Sequence, residues 1–183
     1  MYFETKGPEL TDQTLELALK AAGQQGIGHM VVATTTGHTA QRIAALRPAG
    51  LHVVVVTHVQ GMIEPGTNEL SDEKRAAVEA AGIKVFTGTH ALSGGERGVK
   101  VVGGGLYPLE IIAHTLRMMG QGTKVCVEIA TMALDAGLIP YGEKIIAVGG
   151  TARGADTALV MTPSHAMTLF ETCIHEVICK PLL

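Results

Sequence analysis

Tryptophan is absent from this chain of 183 residues, which has only three phenylalanines and three tyrosines. Stacking platforms for nucleic-acid bases are therefore scarce. With 14 Lys and Arg against 17 Asp and Glu, the net charge of −3 gives no basic field to attract a polyanion. Nucleic acid is not an expected partner. Cysteine is just as sparse: Cys126, Cys173 and Cys179 are an odd set without the paired spacing of a zinc site or a disulfide framework, and are expected to be reduced packing residues. No run approaches the roughly 18 apolar residues that a membrane helix needs, and Glu4, Lys6 and Pro8 stand where a signal peptide would carry its apolar core. The expected location is the cytoplasm, with no membrane partner. Internal repeats and low-complexity tracts are also missing.

What is plentiful is aliphatic. Hydrophobic residues make up 46% of the chain and charged ones 17%, with a mean hydropathy of +0.29, values that suit a parallel sheet covered on both faces. The length fits a single domain, 1–183, burying about 70% of its unfolded surface. Self-association into a homo-oligomer is expected from the apolar content and from a C-terminal arm, Leu169 to Ile178.

Strands and helices alternate along the chain. Thr11 to Ala22 predicts a helix with Leu15, Leu19 and Ala22 on one stripe and Gly23 as its stop. Ile27 to Ala33 predicts a strand, then a helix that ends before Pro48. Leu51 to Val56, rich in β-branched residues, and Ile83 to Phe86 predict two more strands, separated by a helix that Ser71 caps and Gly82 stops. Residues 88–105 hold seven glycines and are expected to be an irregular lid or ligand-contacting loop. Pro108 opens a helix with a stripe of Leu109, Ile112, Ala113 and Leu116, ended by Gly120 and Gly122. Val125 to Leu138 is read as one helix. Ile145 to Val148 is a strand, and Ala158 to Met161 comes too soon after it for a crossover helix, so it is expected to run antiparallel. Leu169 to Ile178 is one more strand or an arm against a partner chain. The alternation predicts an α/β fold with a mostly parallel sheet.

Two glycine-bearing, hydroxyl-rich turns carry the chemistry. In Val31-Val32-Ala33-Thr34-Thr35-Thr36-Gly37-His38-Thr39-Ala40 a strand runs into a helix start, where unpaired N–H groups and roughly +0.5 of dipole charge favour an anion. Thr35, Thr36 and Thr39 add hydroxyl donors. Gly37 allows a close approach or a positive φ, and His38 can donate to a phosphate. The second turn, Gly149 to Thr157, offers Gly149, Gly150, Thr151, Gly154 and the single guanidinium Arg153, whose fork suits phosphate or a ring carbonyl and whose alternative partner is Asp156. Thr57, His58, Thr89 and His90 stand just past predicted strands and can face the same crevice, with Ser93 and Gly94 as further contacts. Glu128 needs a partner if buried, and Asp135 is expected to fix a neighbouring loop. His38, His58 and His90 lack metal-site spacing, so no metal is expected.

The first turn with Arg47-Pro48 and Val56-Thr57, and Gly142-Glu143 leading through Ile145 to Val148 into Gly149-Gly150-Thr151-Ala152-Arg153-Gly154, resemble the C-terminal domain of pyruvate kinase. The chain resembles more closely the stand-alone archaeal and bacterial proteins that share this fold. Tyr2-Phe3-Glu4, His90-Ala91-Leu92-Ser93-Gly94, Leu116-Arg117-Met118, Asp135-Ala136-Gly137-Leu138-Ile139-Pro140, Gly150 to Ala158 and Ile178-Cys179-Lys180-Pro181 carry that likeness. The resemblance implies a three-layer α/β/α fold with a five-stranded sheet of order 3-2-1-4-5 and the last strand antiparallel. It also implies a phosphorylated ligand, flavin mononucleotide (FMN), at the crevice between the two turns, where the winding of the sheet reverses and ligands of open α/β sheets bind. The ring is expected between the Thr57, His90 and Gly150 loops. The tryptophan and proline of the pyruvate kinase effector loop are missing, and its catalytic barrel has no counterpart here, so pyruvate kinase activity is not expected. A flavin-dependent redox role, a non-enzymatic sensor of a phosphorylated metabolite and an enzyme acting on a phosphate ester with His58 or His90 as acid–base are the readings of function. No catalytic residue stands out.

Overall fold

The computed structural model describes residues 1–46 and 48–182. Arg47, part of the first resemblance motif, lies outside them. Among the described residues seven strands form one sheet: β1 (Tyr2–Phe3), β2 (His29–Ala33), β3 (His52–Val56), β4 (Lys84–Phe86), β5 (Ile145–Gly149), β6 (Thr157–Thr162) and β7 (Cys173–Pro181). Their order is β1-β7-β6-β5-β2-β3-β4. The five strands expected from the sequence are β2 to β6 and stand in the expected order, with β6 antiparallel to β5. Two further strands lengthen the sheet past β6. The C-terminal segment is the strand β7, antiparallel to β6, and Tyr2 and Phe3 pair in parallel with Lys180 and Pro181.

Alternation along β2 divides the core in two. Met30 and Val32 face α1 (Thr11–Gln25), α2 (His38–Leu46) and α3 (Asp72–Ala80), packed with Leu15, Ala18, Ile43 and Val78. Val31 faces the other way, into a second core with Val54, Val56, Ala147 and Leu159 beneath α6 (Gln121–Asp135). Period-two exposure of a strand buried on both faces thus makes the three layers. Every residue of α6 from Gly122 to Leu134 except Val125 is buried, because α5 (Pro108–Arg117) covers the side turned away from the sheet, where Leu116 packs against the same core. Among the described residues no helix is long and apolar enough to cross a membrane.

Several local expectations needed correction. Gly23 lies inside α1, which runs on to Gln25 and ends at Gly26 in the left-handed region (φ 65°). Tertiary burial of Ala18, Ala21 and Ala22 carries the helix through a residue that costs it only about 1 kcal/mol. Residues 88–105 are not wholly irregular, since α4 occupies Gly94–Gly103. None of its residues is buried; Glu96 accepts from Leu109 N (2.9 Å) and Lys100 pairs with Glu110 (2.6 Å), so contacts at its margin hold it in place of a core stripe. Gly120 and Gly122 do not end α5, which stops at Arg117; Gly120 caps the start of α6 and Gly122 lies within it. Of the three cysteines, Cys126 and Cys179 are buried packing residues, whereas Cys173 is exposed. Burial pushes the Cys126 thiol well above the ordinary range for cysteine.

Gly122 sets how closely α6 approaches the β5–β6 turn. A Cβ there would collide with the Thr157 side chain and come within 3.0 Å of Asp156 Oδ1. Gly122→Ala is expected to lower the free energy of unfolding by about 1–3 kcal/mol in chemical denaturation. Gly23→Ala, with nothing within 4 Å of the added methyl, is expected to leave stability unchanged or raise it slightly.

Candidate functional site

β2 and β5 are neighbours and run in parallel (Met30 opposite Ile146, Val32 opposite Val148), so their carboxyl ends open side by side. Beyond those ends the chain takes different courses: β2 leads into α2, and β5 turns back into β6. The space between is a cleft of about 330 Å³. Thr34, Thr35 and Thr39 line it from the first turn, Thr57 and His58 from the end of β3, His90 from the end of β4, and Gly150, Ala152 and Gly154 from the second turn. The fourth wall comes from α6 and the segment before it, through Arg117, Gln121, Lys124, Val125, Glu128, Ile129 and Met132. Arg97 of α4 and Met62 complete the rim.

Of the residues expected at the crevice, Thr35, Thr39, Thr57, His58, His90, Gly150 and Gly154 line this cleft. The others do not. Thr36 turns its carbonyl to Lys74 Nζ (2.9 Å). Gly37, at φ 95°, is buried under α3, its would-be Cβ only 2.9 Å from Leu70 Cδ1, so its glycine serves the backbone conformation and the packing of α3. His38 is exposed on the first turn of α2. Gly149 faces α6, and a Cβ on it would lie 2.8 Å from the Gly122 carbonyl oxygen. Thr151 N donates to the Asp156 carboxylate (3.1 Å), which also accepts from Thr157 Oγ1 (2.8 Å). Arg153 is exposed, away from the cleft-lining set, and Asp156 is not its partner. Thr89 opens onto a separate groove with Phe86 and Asp135, Ser93 lines a neighbouring cavity, and Gly94 begins α4.

The cleft is locally basic although the chain is acidic. The Lys124 ammonium and Glu128 carboxylate form an i, i+4 pair on α6, with side chains only 8% and 6% exposed. Glu128 Oε1 also accepts from Leu92 N (3.1 Å), tying the segment after β4 to α6. Arg117 donates through Nε to Gln121 Oε1 (2.8 Å), and among the described residues its two terminal amines have no partner. The first turns of α2 and α6 both reach the cleft, adding free N–H donors and the positive ends of two helix dipoles. Thr34, 6% exposed, has a buried hydroxyl with no partner among the described residues. A buried hydroxyl left unpaired costs about 1–3 kcal/mol, which an incoming acceptor recovers.

Two histidines stand at the mouth, their rings edge-on with centroids 5.4 Å apart. His58 Nδ1 is 2.9 Å from Glu69 Oε1. His90 Nε2 accepts from Val59 N (3.2 Å), which places the proton of the neutral ring on Nδ1. Burial, aided by the nearby charges of His58, Lys124 and Arg97, lowers the His90 pKa against the opposing pull of Glu128. Asp135 accepts from His165 Nδ1 (2.7 Å) and from Ala166 N, fixing the segment after β6. No group of three His, Cys, Asp or Glu residues among those described is placed to hold a metal.

Thr34, Arg97, Arg117, Gln121 and Lys124 were missed by sequence reasoning, and Glu128, singled out as a carboxylate that needs a partner if buried, was not placed at the cleft. A Lys124-x-x-x-Glu128 spacing on a mostly apolar helix was the signal to read, and beginning that helix at Val125 hid it.

The family model for the pyruvate kinase alpha/beta domain matches residues 12–161, and the chain belongs to that family. Among solved structures it is similar to a pyruvate kinase from Cryptosporidium parvum, at 16% identity over 85% of this chain and 24% of that one, with a TM-score of 0.43. The structure of Cryptosporidium parvum pyruvate kinase in complex with ADP gives 18%, 85%, 24% and 0.42 on the same measures. An O-ureido-L-serine synthase matches at 20% identity over 60% of this chain and 29% of that one, with a TM-score of 0.32. The chain spans about a quarter of the length of those pyruvate kinases.

Glu128→Gln leaves the Lys124 ammonium buried without a counter-charge and is expected to destabilise the protein by about 3 kcal/mol in denaturant titration. A second expectation concerns pH. His90 has its pKa lowered from 6.5 on folding, so the unfolded chain binds the proton more readily. The stability tied to its neutral form is complete above about pH 6.5 and declines as pH falls through that value towards the folded one. His90→Gln is expected to make the fall in melting temperature between about pH 7 and pH 5 shallower; an unchanged slope would show that His90 does not titrate in this way.

Proposed function

We propose that the cleft at the carboxyl ends of β2 and β5 binds a phosphorylated small molecule, and that this ligand is FMN. One observation carries the reading: the first turns of α2 and α6, the cations Lys124 and Arg117, and Thr34, whose buried hydroxyl has no partner among the described residues, all line one cleft. Backbone N–H groups, ammonium, guanidinium and hydroxyl are the donor set of a phosphate site. Beside these donors the cleft also carries apolar side chains, with Val56, Val125, Ile129 and Met132 offering a surface for a ring system. Its size, about 330 Å³, falls within the range of small-ligand sites. The donor set and the apolar wall both fit a flavin mononucleotide.

Flavin, when bound, supplies the electron or hydride chemistry itself. The chain's part is to bind and orient. Lys124, Arg117 and Thr34 hold the phosphate, the aliphatic wall of α6 takes the ring, and the His90 Nδ1–H stands at the mouth as a hydrogen-bond donor. Because Lys124 is already neutralised by Glu128, Arg117 and the helix ends supply most of the uncompensated positive charge.

Freshly purified protein is expected to be yellow, or to quench the fluorescence of added FMN as it binds. Thr34→Val and Arg117→Gln are each expected to weaken that binding about tenfold, equivalent to about 1.4 kcal/mol. Colourless protein that takes up no flavin but binds a phosphorylated metabolite would replace the flavin reading with the sensor. Unchanged affinity in both variants would overturn the cleft assignment.

A further inference from the structure

His58 and His90 both line the cleft, and each ring is held by only one of its nitrogens. Glu69 Oε1 lies 2.9 Å from His58 Nδ1. A carboxylate only accepts, so that nitrogen carries the proton and the neutral ring keeps Nε2 as an acceptor. In His90 the assignment is reversed. Its Nε2 accepts from Val59 N (3.2 Å), which leaves Nδ1–H as a donor. Burial lowers the His90 pKa and so keeps this ring neutral at about pH 7. Among the described residues neither His58 Nε2 nor His90 Nδ1 has a partner. The backbone beneath them is braced: the His58 carbonyl accepts from Thr57 Oγ1 (2.8 Å) and Asn68 Nδ2 (2.9 Å), and Asn68 Oδ1 accepts in turn from Leu70 N (2.9 Å). Arg75 braces it from α3 by donating to Thr87 Oγ1 (2.6 Å), which is 2.7 Å from Thr57 Oγ1. Two neighbouring rings, their planes at 61°, thus offer opposite hydrogen-bonding characters from a fixed frame. An acceptor beside a donor does not suit an oxyanion, which brings acceptors alone, or an ammonium, which brings donors alone. An N–H and a C=O on adjoining atoms of one planar ring satisfy both.

We propose that His58 and His90 read the amide edge of the ring system held in the cleft, His58 Nε2 accepting from a ring N–H and His90 Nδ1–H donating to the adjoining ring C=O. The proposal deepens the flavin mononucleotide reading of the cleft and rests on it. A flavin carries this edge at N3–H and C4=O, and a uracil ring carries the same one. Lys124, Arg117 and Thr34 are indifferent to the ring, so one set of residues serves the phosphate and the histidine pair selects what is attached to it. An analogue with a methyl group in place of the N–H proton leaves His58 Nε2 without its donor, and a site built to pair a polar group rejects the partner that lacks it.

The test compares the affinity of the full chain for FMN and for 3-methyl-FMN, by quenching of flavin fluorescence at about pH 8, where imidazole is neutral. The methylated ligand is expected to bind about tenfold more weakly or worse. His58→Phe is expected to weaken FMN and bring the two ligands to equal affinity. His90→Phe is expected to weaken both alike, because the ring carbonyl is present in each. Circular dichroism checks the fold of the variants, and the comparison in the unaltered chain stands whether or not they fold. Equal affinity for FMN and 3-methyl-FMN in the unaltered chain would overturn the histidine edge and leave the flavin reading standing, as would a preference that survives His58→Phe. If FMN does not bind, the flavin reading falls and UMP against 3-methyl-UMP, measured by calorimetry, decides the edge. A preference for UMP of about tenfold would then support it, and equal binding or none would overturn it.

Discussion

Placing β2 between two parallel neighbours, β3 and β5, is the constraint on which the rest of the molecule depends. A parallel strand with both edges paired and both faces covered must be apolar throughout, and Met30, Val31 and Val32 are all fully buried. Its two neighbours differ in where the chain goes next. β3 leads through a long loop to α3 on the face of α2, whereas β5 turns back at once into antiparallel β6. No helix comes after β5 to close over the end of β2. The crevice is therefore a gap the topology cannot fill, and α6, arriving from the opposite layer, can only wall it.

That wall is where the energetics become unusual. α6 is buried along almost its whole length, yet it carries Lys124 and Glu128 into the interior as an ion pair. Such a pair barely repays its desolvation, and an apolar pair of the same size would serve stability as well or better. Two things set it apart from a structural accident. It lines the cleft, and its carboxylate also holds the backbone of Leu92, so α6, the His90 segment and the cavity beyond it are positioned together. The helix that packs the second core is thus also the one that brings charge to the site. Its dipole points the same way, with the positive end at the cleft.

The fold was largely legible in the residues. The short β-branched runs of the valine-rich strands, the capping serine at position 71 and the short link between Ile145 to Val148 and Ala158 to Met161 are local signals, and each led to the right element. Glycine was the unreliable punctuation. Gly23 and Gly122 look like stops but lie inside helices, because the burial of neighbouring side chains outweighs a local preference of about 1 kcal/mol. The glycines of 94–103 did not keep that segment irregular either. β1 was invisible as a strand, since two residues have no period to read and form one only by pairing with Lys180 and Pro181.

The site divides along the same line. Hydroxyls at the end of one strand, histidines at the ends of two others and a glycine turn after a fourth were all recognisable in the sequence, because a strand's carboxyl end is marked by the chain leaving an apolar run. The sequence by itself thus determined most of the elements, that the sheet is mostly parallel and which strand ends open together. Only the tertiary structure decided which side chains meet there. It turned Gly37, His38 and Arg153 away, and it brought in Arg97, Arg117, Lys124 and Glu128 from segments far along the chain. Rotation of a helix about its axis and the seating of one layer on another are settled by packing and desolvation summed over the whole molecule, and no local pattern encodes that sum.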